Sequence, residues 1–487
     1  MDWTVDPEAG PTAGVTQSPM RVVEVPDPVR AASATAKVEH PQEADWNPIK
    51  VPDIAFELAW LTCVIGTIAV ACKYSGAANF DDDSKKRTVA RMLPVIVIVL
   101  CSALAASSAS LLLLLRLGTY AVHATLLVAN GALVLAAVFA FSQELWFASA
   151  FLCGAALLGV TFWYCSRHLA GFASATMHVA TDVVLAYPLL QLLGFLSALC
   201  AVLFFFASAT AMLGYSRRTD KSGDKDAGGD TAVLFLLAFI FFWTCEVFKY
   251  ALVSTTAGAA HAYWYGRRAS LKRHPVLDAG LRAVTSNLGA VCFGAAVLAV
   301  VEAVLVVVHF LKRKAREAEG GCCVSCLLGC VGCCLGCCGA VMDYFNKYAF
   351  VYVGIHGYSF LYAGRQVVGL MSQQGMTAIG MDYFVETVLS LFAVGIGLLN
   401  AVFGLWLVRD APDSWTEGLD HPDVVVGLIA GIGGYAVAQV VFSLVEGANK
   451  ATFVLFLENP DVLAVTHPDM CTHLAKNWKL LGHEVPT

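Results

Sequence analysis

The stretch AVTSNLGAVCFGAAVLAVVEAVLVVVHFL, residues 283–311, holds one acid, Glu302, and no Lys or Arg. As an α-helix it rises about 1.5 Å per residue, ample length to cross a hydrocarbon core about 30 Å thick. Working outward, basic clusters flank it on both sides. Arg267, Arg268, Lys272, Arg273 and Arg282 precede it, and Lys312, Arg313, Lys314 and Arg316 follow it. Basic residues gather in cytoplasmic loops, so a single crossing sets one of these clusters outside and the charges leave the topology open. Comparable apolar stretches recur at 54–72, 93–115, 119–142, 145–165, 187–214, 231–265, 381–408 and 423–457. Lipid is then the solvent for most of the chain, and backbone groups in lipid must be satisfied within each segment. The expected fold is all-α: a polytopic membrane protein with about ten transmembrane helices. The 35-residue segment 231–265 is long enough to bend or break in two. The segment 340–372, interrupted by Asp343, Asn346, Lys347, His356 and Arg365, reads either as a crossing helix or as lying against the inner face of the bundle, with the second reading preferred.

Composition agrees. Hydrophobic residues make up 58% of the 487 and charged residues 14%, against roughly 25% charge in soluble domains. Residues 1–50 carry eight acids and four basic residues, with little apolar periodicity, and read as a disordered cytosolic tail. Residues 51–460 form the expected transmembrane domain, and 461–487 a cytosolic C-terminal tail. The N-terminus lacks the basic-then-apolar pattern of a signal peptide, so the first span acts as an uncleaved insertion signal. Soluble-enzyme chemistry has no support: GxxxxGK[ST], GxSxG and HExxH are all missing. No catalytic residue, cofactor, metal site or nucleic-acid partner is expected.

Residues 322–338 read CCVSCLLGCVGCCLGCC, directly after the basic stretch at 312–316. C-x-x-C spacing on its own points to zinc or redox chemistry. Here Val, Leu and Gly fill the gaps, and no His or acid joins in. Beside a polybasic stretch, the run reads as an interfacial segment S-acylated at Cys322, Cys323, Cys326, Cys330, Cys333, Cys334, Cys337 and Cys338.

Ionisable groups within a span are costly and mark a pathway or a ligand by default. Trp243, Glu246, Thr255, Thr256, His261, Tyr263 and Trp264 lie along 231–265; Tyr352 and His356 follow in an aromatic-rich segment, and Glu446 lies in the last span. A carboxylate with aromatic faces suits a small organic cation, since a quaternary ammonium donates no hydrogen bond and is held by ring quadrupoles. These ten residues are the candidate substrate site. Each also has a structural reading. Glu246 and Lys249 stand one turn apart and can neutralise each other, and Trp and Tyr collect at membrane interfaces as anchors.

Four segments carry a resemblance: FFWTCEVFKYALVSTTAGAAHAYWYG at 241–266, GLRAVTSNLGAVCFGAAVLAVVEA at 280–303, MDYFNKYAFVYVGIHGYSFLYAGRQVV at 342–368 after the cysteine run, and FSLVEGANKATFVLFLEN at 442–459. In order and spacing the chain resembles the choline transporter-like family, solute carrier family 44, over about 54–460. The short loop after the first span resembles the fungal, plant and protist branch. The resemblance implies ten spans with both termini cytosolic, in a multi-pass protein of the plasma membrane. It implies transport of choline, or of a related small amine such as ethanolamine, by facilitated diffusion or proton-coupled exchange. The partners implied are that cationic amine and membrane lipids. Three departures stand out: Lys450 where the family has an acid, FLYAGRQVV at 360–368, and His356 where tyrosine is common. The competing expectation is a non-transporting membrane scaffold or lipid-sensing protein tethered by acylated cysteines.

Overall fold

A computed structural model describes residues 51–74, 83–143, 146–222, 227–266, 274–317, 322–410 and 422–480. The N-terminal tail expected over 1–50 lies outside them, as do Arg267, Arg268, Lys272 and Arg273. Every element among the described residues is helical: α1 (Val51–Tyr74), α2 (Asp83–Ser142), α3 (Trp146–Ser166), α4 (Ala170–Ala186), α5 (Pro188–Ser222), α6 (Ala227–Trp264), α7 (Pro275–Val284), α8 (Leu288–Glu317), α9 (Cys322–His356), α10 (Phe360–Asp410), α11 (Pro422–Glu458), α12 (Pro460–Thr466) and α13 (Pro468–Leu480). Nine candidate spans are long and apolar enough to cross a membrane among the described residues. The protein is a polytopic α-helical membrane protein.

Three segments depart from the sequence reading. The stretches 93–115 and 119–142 belong to one uninterrupted helix, α2, because nothing between Arg116 and Gly118 breaks an α-helix and no proline intervenes. Sixty residues rise about 90 Å, roughly three hydrocarbon thicknesses. The second half of α2 pairs with α3, where Ser149 Oγ donates to the Ala137 carbonyl at 3.0 Å. Segment 231–265 does not break in two; it runs as one helix through α6 as far as Trp264. Segment 340–372 does not lie along the inner face as one piece. Residues 340–356 are the buried half of α9, which crosses the bundle with Tyr348, Phe350, Val351 and Val353 at 0% exposure. Gly357, at φ 70°, then takes the left-handed conformation that ends the helix, and its N–H reaches the Val353 carbonyl at 2.9 Å. Gly266, at φ 58°, ends α6 in the same way. A further kink at Gln374 separates the opening turns of α10 from its span.

Contacts between helix ends define one face of the bundle. His356 of α9 meets Glu458 of α11 at 3.0 Å, and Trp264 of α6 donates to the Asn459 carbonyl at 3.1 Å. Asn287, just before α8, donates to the Val353 carbonyl at 3.1 Å, and Gly289 packs on the Asp53 backbone. The start of α1 and the end of α11 therefore share this face. Nine single crossings, an odd number, would put them on opposite faces, and α4 resolves the parity. Its Phe172 packs on Phe456 and Trp478, and Tyr187 at its other end packs on Tyr263 and His274. Both ends of α4 lie at the same face, so the helix lies across it. The segment read as a tail supplies α12 and α13, which dock here, with Trp478 1% exposed. At the opposite end α8 and α9 form a hairpin in which Gly329 meets Lys312 and Gly339 meets Val301.

Candidate functional site

Four apolar helices each carry two charged residues about one turn apart: Glu246 and Lys249 on α6, Asp343 and Lys347 on α9, Asp382 and Glu386 on α10, and Glu446 and Lys450 on α11. Residues three or four apart share a helix face, so each pair points the same way. Packing brings all four pairs to one cluster, close to the middle of α6, with Lys249 and Glu386 left 40% and 42% exposed at its edge. Lys249 Nζ lies 3.2 Å from Glu246 Oε2 and 3.0 Å from Asp343 Oδ1. Tyr250 Oη also donates to Asp343 Oδ1, at 2.6 Å. Lys347 Nζ reaches Glu446 Oε1 at 2.7 Å, with Asp343 at 3.5 Å and Glu386 at 3.6 Å. Lys450 Nζ reaches the same Glu446 oxygen at 2.9 Å, Glu386 at 3.3 Å and Asp382 at 3.5 Å. Tyr348 Oη closes the chain by donating to Asp382 Oδ2 at 2.8 Å.

Burial is steepest at the α10–α11 end, where the Lys450 and Asp382 side chains are 1% and 3% exposed. Five carboxylates surround three ammoniums, and the half-buried Glu302 of α8 lies within electrostatic reach of Glu246 and Asp343. Isolated charges in a low-dielectric interior are very costly, and pairing offsets that only where the partners balance. At formal charges this cluster does not balance. Beside it lies a cavity of about 290 Å³, at the small end of the range for ligand pockets. Its wall includes Lys249, Lys347, Glu446, Lys450, Phe248 and Gln439. Among the described residues no group of three or more His, Cys, Asp or Glu side chains is arranged to hold a metal ion.

Of the ten residues singled out from sequence, the structure brings Glu246 and Glu446 into this cluster. The other eight lie elsewhere. Trp243 Nε1 donates to the Cys292 carbonyl at 2.9 Å within a core with Trp60 and Val247. Thr255 and Thr256 donate back to the carbonyls of Ala251 and Leu252, as hydroxyls within a helix commonly do. At the face defined by the helix ends, Trp264 anchors α6 to Asn459, Tyr263 stacks on His467 at 4.5 Å, and His261 lies on Tyr265. Tyr352 and His356 form a separate aromatic group on that face, where Tyr352, His356 and Tyr358 stack in sequence beside Glu458. Sequence reasoning passed over Asp382 and Glu386, met Tyr348 only as one ring of an aromatic-rich segment, and treated Asp343, Lys347 and Lys450 as interruptions or departures. The usable signal was the shared one-turn spacing of charges in four otherwise apolar helices.

The described thiols of the cysteine run, Cys326, Cys330, Cys333, Cys334, Cys337 and Cys338, are all exposed. The Cys322 and Cys323 side chains lie outside the described residues. The run forms the first half of α9, continuous with its buried half, at the end of the bundle opposite Glu458.

The fold is a bundle of apolar helices around a cluster of paired charged side chains, with a small cavity beside it. Residues 149–461, more than half of the chain, match the family described as plasma-membrane choline transporter. The chain belongs to that family. Among its relatives, Protein PNS1 of Debaryomyces hansenii is 25% identical over 329 residues, covering 65% of this chain and 63% of that one. Protein PNS1 of Candida albicans is 23% identical over 359 residues, covering 70% and 68%, and that of Mycosarcoma maydis is 24% identical over 249 residues, covering 49% and 45%. The matched region thus spans less than two thirds of the first and third of these relatives. Membership makes the protein one of a family of membrane transporters.

Proposed function

We propose that the protein carries a small organic cation of the choline type across the plasma membrane, by facilitated diffusion or proton-coupled exchange, and that the cluster around Glu446 is where the cation pauses. One observation carries the reading. At formal charges, five carboxylates against three lysines leave a surplus of two negative charges beside a half-open cavity lined by α5, α6, α9 and α11. A mobile cation relieves that surplus. Glu446 is the carboxylate on the cavity wall and the meeting point of two lysines, so it is the natural first contact. The aromatic group of Tyr352, His356 and Tyr358 with Glu458 supplies ring faces and a carboxylate at the bundle face, a place for the cation to wait.

Uptake of radiolabelled choline and ethanolamine into proteoliposomes, with and without a pH gradient, tests this. Saturable flux of either amine is expected. No saturable flux of any small amine in either direction overturns it and leaves the scaffold reading. S-acylation of the cysteine run belongs to the same proposal with a condition attached. Acyl transfer takes place at the cytosolic leaflet, whereas the run lies opposite the face that holds Asp53 and Glu458. Acylation and cytosolic termini are therefore alternatives.

A further inference from the structure

Lys450 stands where a small ammonium ligand would stand. Three carboxylates from two helices converge on its Nζ, at 2.9 Å (Glu446), 3.3 Å (Glu386) and 3.5 Å (Asp382). The ring of Tyr348 lies 5.9 Å away, within cation–π range. The buried Asp382 Oδ1 accepts no hydrogen bond among the described residues and meets this ammonium as an ion pair. Carboxylates and a ring around a primary ammonium are the groups that would recognise a free alkylammonium. The same side chain helps wall the cavity beside Glu446. Its flexible four-carbon stem carries three donors that turn independently of the backbone. Lys347, at 2.7 Å, keeps Glu446 partnered if Lys450 shifts away, and Glu386 and Asp382 keep Lys450 partnered.

We propose that Lys450 is a tethered occupant of the cation site. Its ammonium fills the carboxylate cage while no diffusible amine is present, and an incoming amine takes Glu446 as Lys450 withdraws onto Asp382 and Glu386. This rests on the reading that the cluster binds an amine. It adds that the resting state is self-liganded, and that the cage behind the cavity fits an ammonium with N–H donors. A quaternary ammonium has no such donor to offer, so choline would be held at Glu446 by charge and by Phe248, the single ring on the described cavity wall, whereas a primary amine such as ethanolamine also fits the cage.

The test is chemical rescue. Lys450→Met and the charge-balanced pair Lys450→Met with Glu386→Gln are extracted and melted in sodium chloride or in methyl-, dimethyl-, trimethyl- or tetramethylammonium chloride at equal ionic strength. Methylammonium at tenfold excess over its Kd should raise the melting temperature of the variants by roughly 1–2 °C. The gain should shrink with each added methyl group, and the wild type, whose own Lys450 ammonium competes for the cage, should respond less at the same amine concentration. A variant that yields monodisperse protein only when methylammonium is present counts for the proposal. Equal responses from wild type and variants, a response indifferent to N-methylation, or no amine-dependent gain in yield or melting in either variant overturns it. The outcome separates from the transport reading. Rescue in a protein whose wild type shows no amine flux keeps the tether and removes the carrier, and flux without rescue does the reverse.

Discussion

Replacing Glu446 by Gln keeps the side chain's shape and removes the charge at the point where Lys347 and Lys450 converge, at 2.7 and 2.9 Å. Breaking a buried ion pair by deleting one partner costs about 3–5 kcal/mol when the other charge is left alone. Neither lysine is left alone here. Lys347 retains Asp343 and Glu386 at 3.5 and 3.6 Å, and Lys450 retains Glu386 and Asp382 at 3.3 and 3.5 Å. The substitution also lowers the surplus of acids over lysines from two to one, by the count of five carboxylates against three ammoniums. Stability should therefore fall by only about 1–3 kcal/mol, a few degrees in melting temperature. A bound amine fares worse, because it loses the carboxylate on the cavity wall. A hydrogen bond to a charged group is worth about 1.5–3 kcal/mol, so the KM for amine uptake should rise roughly 10- to 150-fold. Initial uptake rates in proteoliposomes, paired with melting curves on the same preparation, separate the two effects. An unchanged KM in a protein that melts a few degrees lower would make Glu446 a packing residue and refute the reasoning.

Three further expectations follow from the helix contacts. A Cβ at Gly354 would overlap the Ser254 carbonyl and crowd Ala257, so Gly354→Ala should force α6 and α9 apart at a loss of about 1–3 kcal/mol; an unchanged size-exclusion profile and melting temperature would contradict the close crossing. Trp264→Phe removes the indole donor to Asn459 and should lower stability by about 0.5–1.5 kcal/mol while leaving the KM for amine alone; a shifted KM would move Trp264 from anchor to ligand contact. Acyl–biotin exchange on the wild type and on a variant with all eight cysteines of 322–338 replaced by serine tests the lipid anchor, combined with accessibility tags after residue 480. A cytosolic tag should go with equal, background labelling in both proteins, and a lumenal or external tag with labelling lost in the variant. A cytosolic tag with labelling lost in the variant would break the link between the two.

The helical architecture was legible because lipid exposure is a local property: a long apolar run reveals its solvent without reference to the rest of the fold. The misreadings arose where local composition is ambiguous. Arg116, Leu117 and Gly118 look like a break between spans, yet none of them stops a helix, and α2 continues through. Asp343, Asn346 and Lys347 make 340–356 look too polar to cross, but the two charges are met by α6, α10 and α11 and the Asn346 amide donates to the Gly294 carbonyl of α8. The site shows the same limit. Glu246 and Glu446 were found because an acid in an apolar run is conspicuous. Their partners were missed because the meeting of Lys347 with Glu446, or of Tyr348 with Asp382, depends on how separate helices pack. Tyr263 and Trp264, which the sequence offers either as ligand contacts or as anchors, meet His467 and Asn459, 204 and 195 positions away.

The docking of α13 has a consequence for biogenesis. Phe172 is 1% exposed, and its cover is Phe453, Phe456 and Trp478. Those residues emerge from the ribosome about three hundred codons later, some 15–60 s at ordinary elongation rates. Through that interval the underside of α4 has no permanent covering, so lipid, the insertion machinery or a chaperone must shield it. Maturation of this face therefore waits on one late tryptophan, and translation pauses or lesions near codon 478 should send newly made chains to quality control even when every span has already been inserted.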